Sequence, residues 1–116
     1  MLRTGLCLIA LSSAALADPA RVNHVNVSKH GGLYTFDVTV SHGDTGWDHY
    51  VNAWRIVGPD GSVLGTRELA HPHVDEQPFT RSLSGVSLPQ GTTSVSIQTR
   101  DSVTGWSEPS RQVPIR

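Results

Sequence analysis

The chain has 116 residues, 37% of them hydrophobic and 16% charged, and a formal net charge of −1, so we expect a single domain. The chain has no basic excess and no basic amphipathic stretch, so its charge does not indicate binding to nucleic acid or to a membrane surface. The single cysteine, Cys7, lies in a segment that we expect to be removed. We therefore exclude disulfides, thiolate metal sites and thiol catalysis for the folded domain.

Residues 1–17 have the pattern of a secretory signal peptide. Arg3 supplies a positive charge, Leu6–Leu11 is an apolar core too short for a membrane span of roughly 20 residues, and an Ala-Leu-Ala sequence ends at Ala17. We expect cleavage after Ala17, one domain over residues 18–116, and a secreted protein, periplasmic in a bacterium. Cleavage removes Arg3 and no acidic residue, so the net charge changes from −1 to −2.

Apolar and polar side chains alternate through the remaining chain, and helical periodicity is absent. The clearest case is Leu33–Ser41, in which Tyr34, Phe36, Val38 and Val40 share one face. Gly85 is expected to form a bulge or a break. The pattern predicts seven strands, at Val22–Ser28, Leu33–Ser41, His49–Gly58, Ser62–Ala70, Phe79–Leu83 with an extension over Val86–Leu88, Thr93–Arg100 and Pro109–Ile115. Seven short strands separated by turns are typical of an all-β, antiparallel immunoglobulin-like sandwich.

The last stretch, SVSIQTRDSVTGWSEPSRQVPI, resembles the end of a fibronectin type III domain, and its GWSEPS is similar to the Trp-Ser box of cytokine-receptor modules. The box occurs only once, and the usual tyrosine of the penultimate strand is missing. This resemblance implies a fibronectin-III-like sandwich that serves in binding or scaffolding. The segment HPHVDEQPFTRSLSGV also resembles small secreted bacterial proteins, a likeness that implies no particular function.

Three loops carry most of the unusual side chains: His42–Asp48, His71–Phe79 and Asp101–Trp106. In a sandwich whose successive strands run up and down, alternate loops lie at the same end. We therefore expect these loops to meet, while the turns at the other end are structural. Loops held by a rigid scaffold often carry binding residues.

His71-Pro72-His73 is the sharpest local motif, because residues i and i+2 of an extended chain point to the same side, about 6–7 Å apart. Imidazole and carboxylate ligands favour Cu(II), Zn(II) or Ni(II). The predicted metal ligands are His71, His73, His49 and His42, with Asp75, Glu76 and Asp48 as a further ligand or as outer partners. The alternatives are a polar loop that hydrogen-bonds to itself, with Arg81 paired to Glu76 or Asp75, and a histidine pH sensor.

The tryptophans admit two interpretations. Trp54 lies in mid-strand and is expected in the core. Trp47 and Trp106, with Asp101, would form a partner-binding surface if exposed, whereas buried indoles would close the open end of the sandwich, which is the role we favour. Trp106 is also expected to stack on an arginine, with Arg81, Arg100 and Arg111 as candidates.

The sequence contains no G-x-S-x-G nucleophile elbow and no phosphate-binding glycine loop, so we do not expect an enzyme. It favours a secreted, non-enzymatic binding domain whose candidate cofactor is Cu(II) or Zn(II). The second hypothesis is a metal-free module that binds a protein or a glycan through the loop tryptophans and acidic residues. A third is an accessory domain whose loops are merely well packed.

Overall fold

The computed structural model describes residues 19–116, which form eight β-strands and no α-helix. The predicted signal peptide and its cleavage site lie outside these residues. Within the described residues, no helix has the length and apolar character needed to cross a bilayer. The strands are β1 (Arg21–His30), β2 (Leu33–Ser41), β3 (Val51–Val57), β4 (Val63–Glu68), β5 (Phe79–Val86), β6 (Ser94–Asp101), β7 (Gly105–Trp106) and β8 (Arg111–Pro114).

The strands form two antiparallel sheets, which confirms the predicted all-β class. One sheet has the order β1-β2-β5, and the other the order β4-β3-β6, with both β7 and β8 paired to β6. The predicted count of seven is wrong, because two strands, β7 and β8, follow β6 along one edge. Pro109, which has no amide proton to donate, lies in the interruption, while Ser107 and Ser110 still donate their backbone N–H groups to Thr99 and Ile97.

The inward faces of the two sheets form the core. Trp54 is fully buried, as predicted, and the alternation along β2 places Phe36, Val38 and Val40 at zero exposure. Among the other hydrophobic side chains of β3 and β6, Val51, Ile56, Val95 and Ile97 are also fully or nearly fully buried. Burial of a side chain of this size contributes about 1.5–3 kcal/mol, so these positions hold the two sheets together.

Gly85 forms the predicted bulge in β5. Tyr34 pairs with Val86 and Phe36 with Leu83, so β5 has one residue more than β2 between these two pairs. Gly85 has a φ of +70°, a conformation that other residues adopt only with strain. The bulge lies at the end of β5 remote from Phe79, and therefore leaves the regular pairing beside the β4–β5 loop intact.

The loops that follow β2, β4 and β6 meet at one end of the sandwich. The carboxylate of Asp44 accepts hydrogen bonds from the backbone N–H groups of Val51 and His73, and the N–H of Ser102 donates to the carbonyl of Tyr50. At the opposite end, the Gly58–Ser62 and Pro89–Thr92 turns line a common surface depression. The unusual residues are thus held together at one end, which we call the loop end.

Candidate metal centre

Asp44 is the hydrogen-bond centre of the loop end. Its side chain is fully buried. Oδ1 accepts from Nδ1 of His42 at 2.6 Å and from the N–H of Val51 at 3.2 Å, and Oδ2 accepts from the N–H of His73 at 2.8 Å. Because an ionised carboxylate can only accept, the proton in the His42 contact lies on Nδ1. Asp44 therefore ties the loop after β2 to β3 and to the β4–β5 loop, and it also fixes the tautomer of His42.

His42, His49 and Asp101 each direct a potential ligand atom toward the others, and these three atoms lie within 4.8 Å of one another. We call these three residues the His₂Asp cluster. Nε2 of His49 lies 3.3 Å from Oδ1 of Asp101, and the rings of His42 and His49 meet edge to face with centroids 4.7 Å apart. Since Nδ1 of His42 is engaged with Asp44, Nε2 is the nitrogen that His42 can offer to an ion.

Each of these residues lies at or near the end of a strand at the loop end. His42 follows the last residue of β2, and Asp101 is the last residue of β6. A tight turn over residues 45–49 places His49 just before β3, with the Thr45 N–H donating to the His49 carbonyl and the His49 N–H donating to Gly46. Gly46 has a φ of +135°, which glycine adopts without strain and which makes this turn possible.

Asp101 is 7% exposed, and its carboxylate holds the β6–β7 turn. Oδ1 accepts from the N–H groups of Val103 and Thr104, and Oδ2 accepts from the Thr104 hydroxyl. Burial raises the pKa of Asp101, but the hydrogen bonds from Thr104 and Val103, with a smaller effect of His49, outweigh burial and lower the pKa. The group is therefore an anion at neutral pH, the form in which a carboxylate binds a metal ion.

His49 carries one of the four buried side-chain nitrogens in residues 19–116 that have no hydrogen-bond partner, the others being Nε1 of Trp54, Nε of Arg67 and Nδ1 of His73. Its Nε2 is buried and has no hydrogen-bond partner among the described residues, although it faces Asp101. A buried polar atom left without a partner costs about 1–3 kcal/mol. A metal ion bound between His49, Asp101 and His42 would engage this nitrogen, so the donor set fits such an ion.

The predicted pair His71 and His73 lies outside the His₂Asp cluster. Their ring centroids are 4.7 Å apart, but His73 stacks on Phe79 at 3.8 Å, and its Nε2 accepts a hydrogen bond from Arg81 at 2.8 Å. Burial lowers the pKa of His73, and the positive charges of Arg81 and His71 lower it further. His73 is thus a neutral, buried residue whose Nε2 is already engaged, whereas His71 is exposed.

The acidic residues proposed as further ligands also lie outside the cluster. Asp48 and Asp75 are exposed, and Glu76 lies 3.6 Å from Arg81, the ion pair offered as the structural alternative. Of the four predicted histidine ligands, the structure brings together His42 and His49. It adds Asp101, which the sequence analysis assigned to partner binding.

The sequence placed Asp44 in the first of the three loops but led to no role for it. The signal was present in His42-Gly43-Asp44, which has the same i, i+2 spacing that drew attention to His71 and His73.

The two loop tryptophans have different surroundings. Trp47 is 68% exposed, with its indole edge-on to Tyr50 at 5.5 Å, so the expectation that it closes the sandwich is wrong. Trp106 is partly buried, between the guanidinium groups of Arg55 at 3.9 Å and Arg100 at 5.0 Å. Of the three arginines predicted as candidates, Arg81, Arg100 and Arg111, Arg100 contacts the ring, and Arg55 was not among them.

Comparison with known proteins gives one relative. A protein of Halomicrobium mukohataei named "Putative lipoprotein" is 39% identical to this chain over 88 residues, which are 75% of this chain and 43% of the relative. The chain therefore spans less than half the length of the curated relative that it matches. No family model matches the chain, and no solved structure matches it. Fold and site together define a two-sheet, all-β protein with a histidine–carboxylate cluster at its loop end.

Proposed function

We propose that this chain is an exported, non-enzymatic domain that binds one divalent transition-metal ion, Zn(II) or Cu(II), at His42, His49 and Asp101. The observation that carries the proposal is the convergence of two imidazoles and one ionised carboxylate within 4.8 Å. The ligand set differs from the one the sequence favoured, since Asp101 takes the place of His71 and His73.

The chemistry of the cluster suits such an ion. Zinc binds imidazole nitrogen at about 2.0–2.1 Å and carboxylate oxygen at about 2.0–2.2 Å. Two donors 3.3 Å apart, as in His49 and Asp101, can therefore share one ion with little movement. Behind His42, Asp44 accepts the Nδ1 proton, the arrangement that orients a metal-binding histidine and makes it a stronger ligand.

Two observations support export. Residues 1–17 have the leader pattern, and the name of the Halomicrobium mukohataei relative describes a lipoprotein. For the fold, we infer a fibronectin-III-like sandwich from the sheet orders β1-β2-β5 and β4-β3-β6, with β7 and β8 sharing the position of a single last strand. Such a scaffold with recognition loops at one end is suited to binding.

Calorimetric titration with Zn(II) and Cu(II) tests the metal proposal, on protein purified from the periplasm of an expression host without a histidine tag. The informative variant is His49→Ala, because the Nε2 of His49 has no hydrogen-bond partner among the described residues. His71→Ala is the matched control, an exposed histidine at the same end. We expect tight 1:1 binding that His49→Ala loses and His71→Ala keeps. Binding weaker than about millimolar in the parent protein, or loss in His71→Ala alone, contradicts the proposal.

The exposure of Trp47 favours a second function, the binding of a glycan or a protein surface by stacking. An indole that is 68% exposed and braced by Tyr50 presents a rigid apolar face to solvent. Glycan-array binding compared between the parent protein and Trp47→Ala tests this function. Array binding that persists in Trp47→Ala would contradict this function. An array measured with metal-free protein separates it from metal binding.

A further inference from the structure

We propose that the metal ion at the His₂Asp cluster keeps one coordination position open toward a surface groove, and that this position accepts a small anion held by Arg21. The inference rests on the proposed function, because it requires the ion. To the proposed function it adds two points. One is the class of external ligand, an anion with an oxygen or nitrogen donor atom, and the other is the residue that pairs with this anion, Arg21.

The first step concerns the number of protein ligands. A tetrahedral ion with three protein donors has a fourth position to fill. No other histidine, cysteine or acidic residue among residues 19–116 joins the His₂Asp cluster. Asp44, which accepts the Nδ1 proton of His42, and His73, whose Nε2 accepts from Arg81, are not among the converging ligand atoms. We therefore take the fourth donor to come from outside the histidine and carboxylate side chains of residues 19–116.

The second step concerns access. Asp101 and Thr104 line a groove of about 820 Å³ beside the start of β1. His42 lines a second, shallower depression of about 360 Å³. Pro19 and Arg21 line both, so two of the three ligands lie at surfaces that meet at the start of β1. A small molecule would approach the cluster from this side, past the side chains of His42 and Asp101, which are 2% and 6% exposed.

The third step concerns charge. Arg21 is exposed, and within residues 19–116 it forms none of the ion pairs. Arg111 lies along the same groove. A bound divalent ion adds the largest local charge and offsets the carboxylate of Asp101. An anion at the fourth position would therefore meet the ion on one side and the guanidinium of Arg21 on the other.

Azide is a suitable probe, because its binding to Cu(II) gives a ligand-to-metal charge-transfer absorption. The Cu(II) titration is done first, so failure of the proposed function appears before any azide is added. In the copper-loaded protein we expect a saturable azide-dependent absorption. Arg21→Gln should weaken azide binding roughly threefold or more. The affinity of this variant for Cu(II) should be unchanged.

Arg116→Gln is the matched control, since Arg116 lines a different surface depression. It should leave azide binding unaltered. A copper-loaded protein that shows no azide-dependent absorption overturns the open position. Equal azide affinities in Arg21→Gln and Arg116→Gln overturn the assignment of the anion to the Arg21 groove.

Discussion

Nδ1 of His42 donates a hydrogen bond of 2.6 Å to Oδ1 of Asp44, and both side chains are buried. The same carboxylate accepts two backbone N–H groups, from the first residue of β3 and from the β4–β5 loop. Asp44 therefore stabilises the loop end whether or not a metal ion is bound. Variants of Asp44 measure this structural role separately from metal binding.

Asp44→Ala should lower the free energy of unfolding of the metal-free protein by about 3–5 kcal/mol, since it leaves three buried donors, Nδ1 of His42 and the N–H groups of Val51 and His73, without their acceptor, at about 1–3 kcal/mol each. Urea unfolding followed by tryptophan fluorescence measures the change. Asp48→Ala, an exposed acid in the same loop, is the control and should change the free energy by no more than about 0.5 kcal/mol. Equal effects of the two substitutions would show that Asp44 does not hold the loops together.

The part of the fold that could be predicted from the sequence is the part that the alternation of apolar and polar side chains determines. Alternation along β2 and β6 identified the buried face because side chains of a strand point alternately to its two sides. The predicted last strand, Pro109–Ile115, corresponds to β8, whereas the two-residue β7 lies in the predicted Asp101–Trp106 loop, where its pairing to β6 is too short for periodicity to report.

The site was predicted less completely, for a different reason. Counting strands placed the three loops at one end, but it did not give the direction of any side chain. The i, i+2 rule put His71 and His73 on the same side, yet the stacking of His73 on Phe79 and its contact with Arg81 depend on β5. Asp101 and His49 are 52 positions apart in sequence numbering (101 − 49) and meet only through the pairing of β3 with β6. Their contact is a product of tertiary structure.

The stability of the protein should fall as the pH is lowered through the range just below 6.5. Burial, with Arg81 and His71, lowers the pKa of His73 in the folded state below its ordinary value of 6.5. Between the two pKa values the unfolded chain binds a proton that the folded protein does not, so acid favours unfolding there, and the loss levels off below the folded-state pKa. Urea unfolding midpoints measured across this pH range give the slope of stability against pH.

The control for this pH dependence compares two substitutions. His73→Gln keeps an acceptor for Arg81 but does not titrate, so it should flatten the slope below pH 6.5. His24→Gln, at an exposed position of β1, should leave the slope unchanged. A slope that persists in His73→Gln would assign the pH dependence to another group.

Trp106→Ala should destabilise the protein by about 1–2 kcal/mol, because it removes one ring that contacts two guanidinium groups, each contact contributing about 0.5–1 kcal/mol at an exposed site. Urea unfolding followed by circular dichroism measures the loss. Trp47→Ala is the control, since its indole is 68% exposed and should contribute less than about 0.5 kcal/mol. A greater loss in Trp47→Ala than in Trp106→Ala would contradict the assignment of Trp106 to the scaffold.

Gly85→Ala tests the bulge of β5. Apart from the glycine and its two chain neighbours, no atom lies within 4 Å of the position that a Cβ would occupy, so any cost comes from the backbone, whose φ is +70°. An L-residue in the left-handed region costs about 1–2 kcal/mol, and we expect the free energy of unfolding to fall by that amount.

Gly43→Ala is the matched control, because its Cβ would also meet no atom within 4 Å and its φ is not positive. It should be neutral or slightly stabilising, because alanine restricts the unfolded chain. Thermal unfolding compares the stabilities of the two variants. A Gly85→Ala protein as stable as the Gly43→Ala protein would show that the bulge does not require glycine.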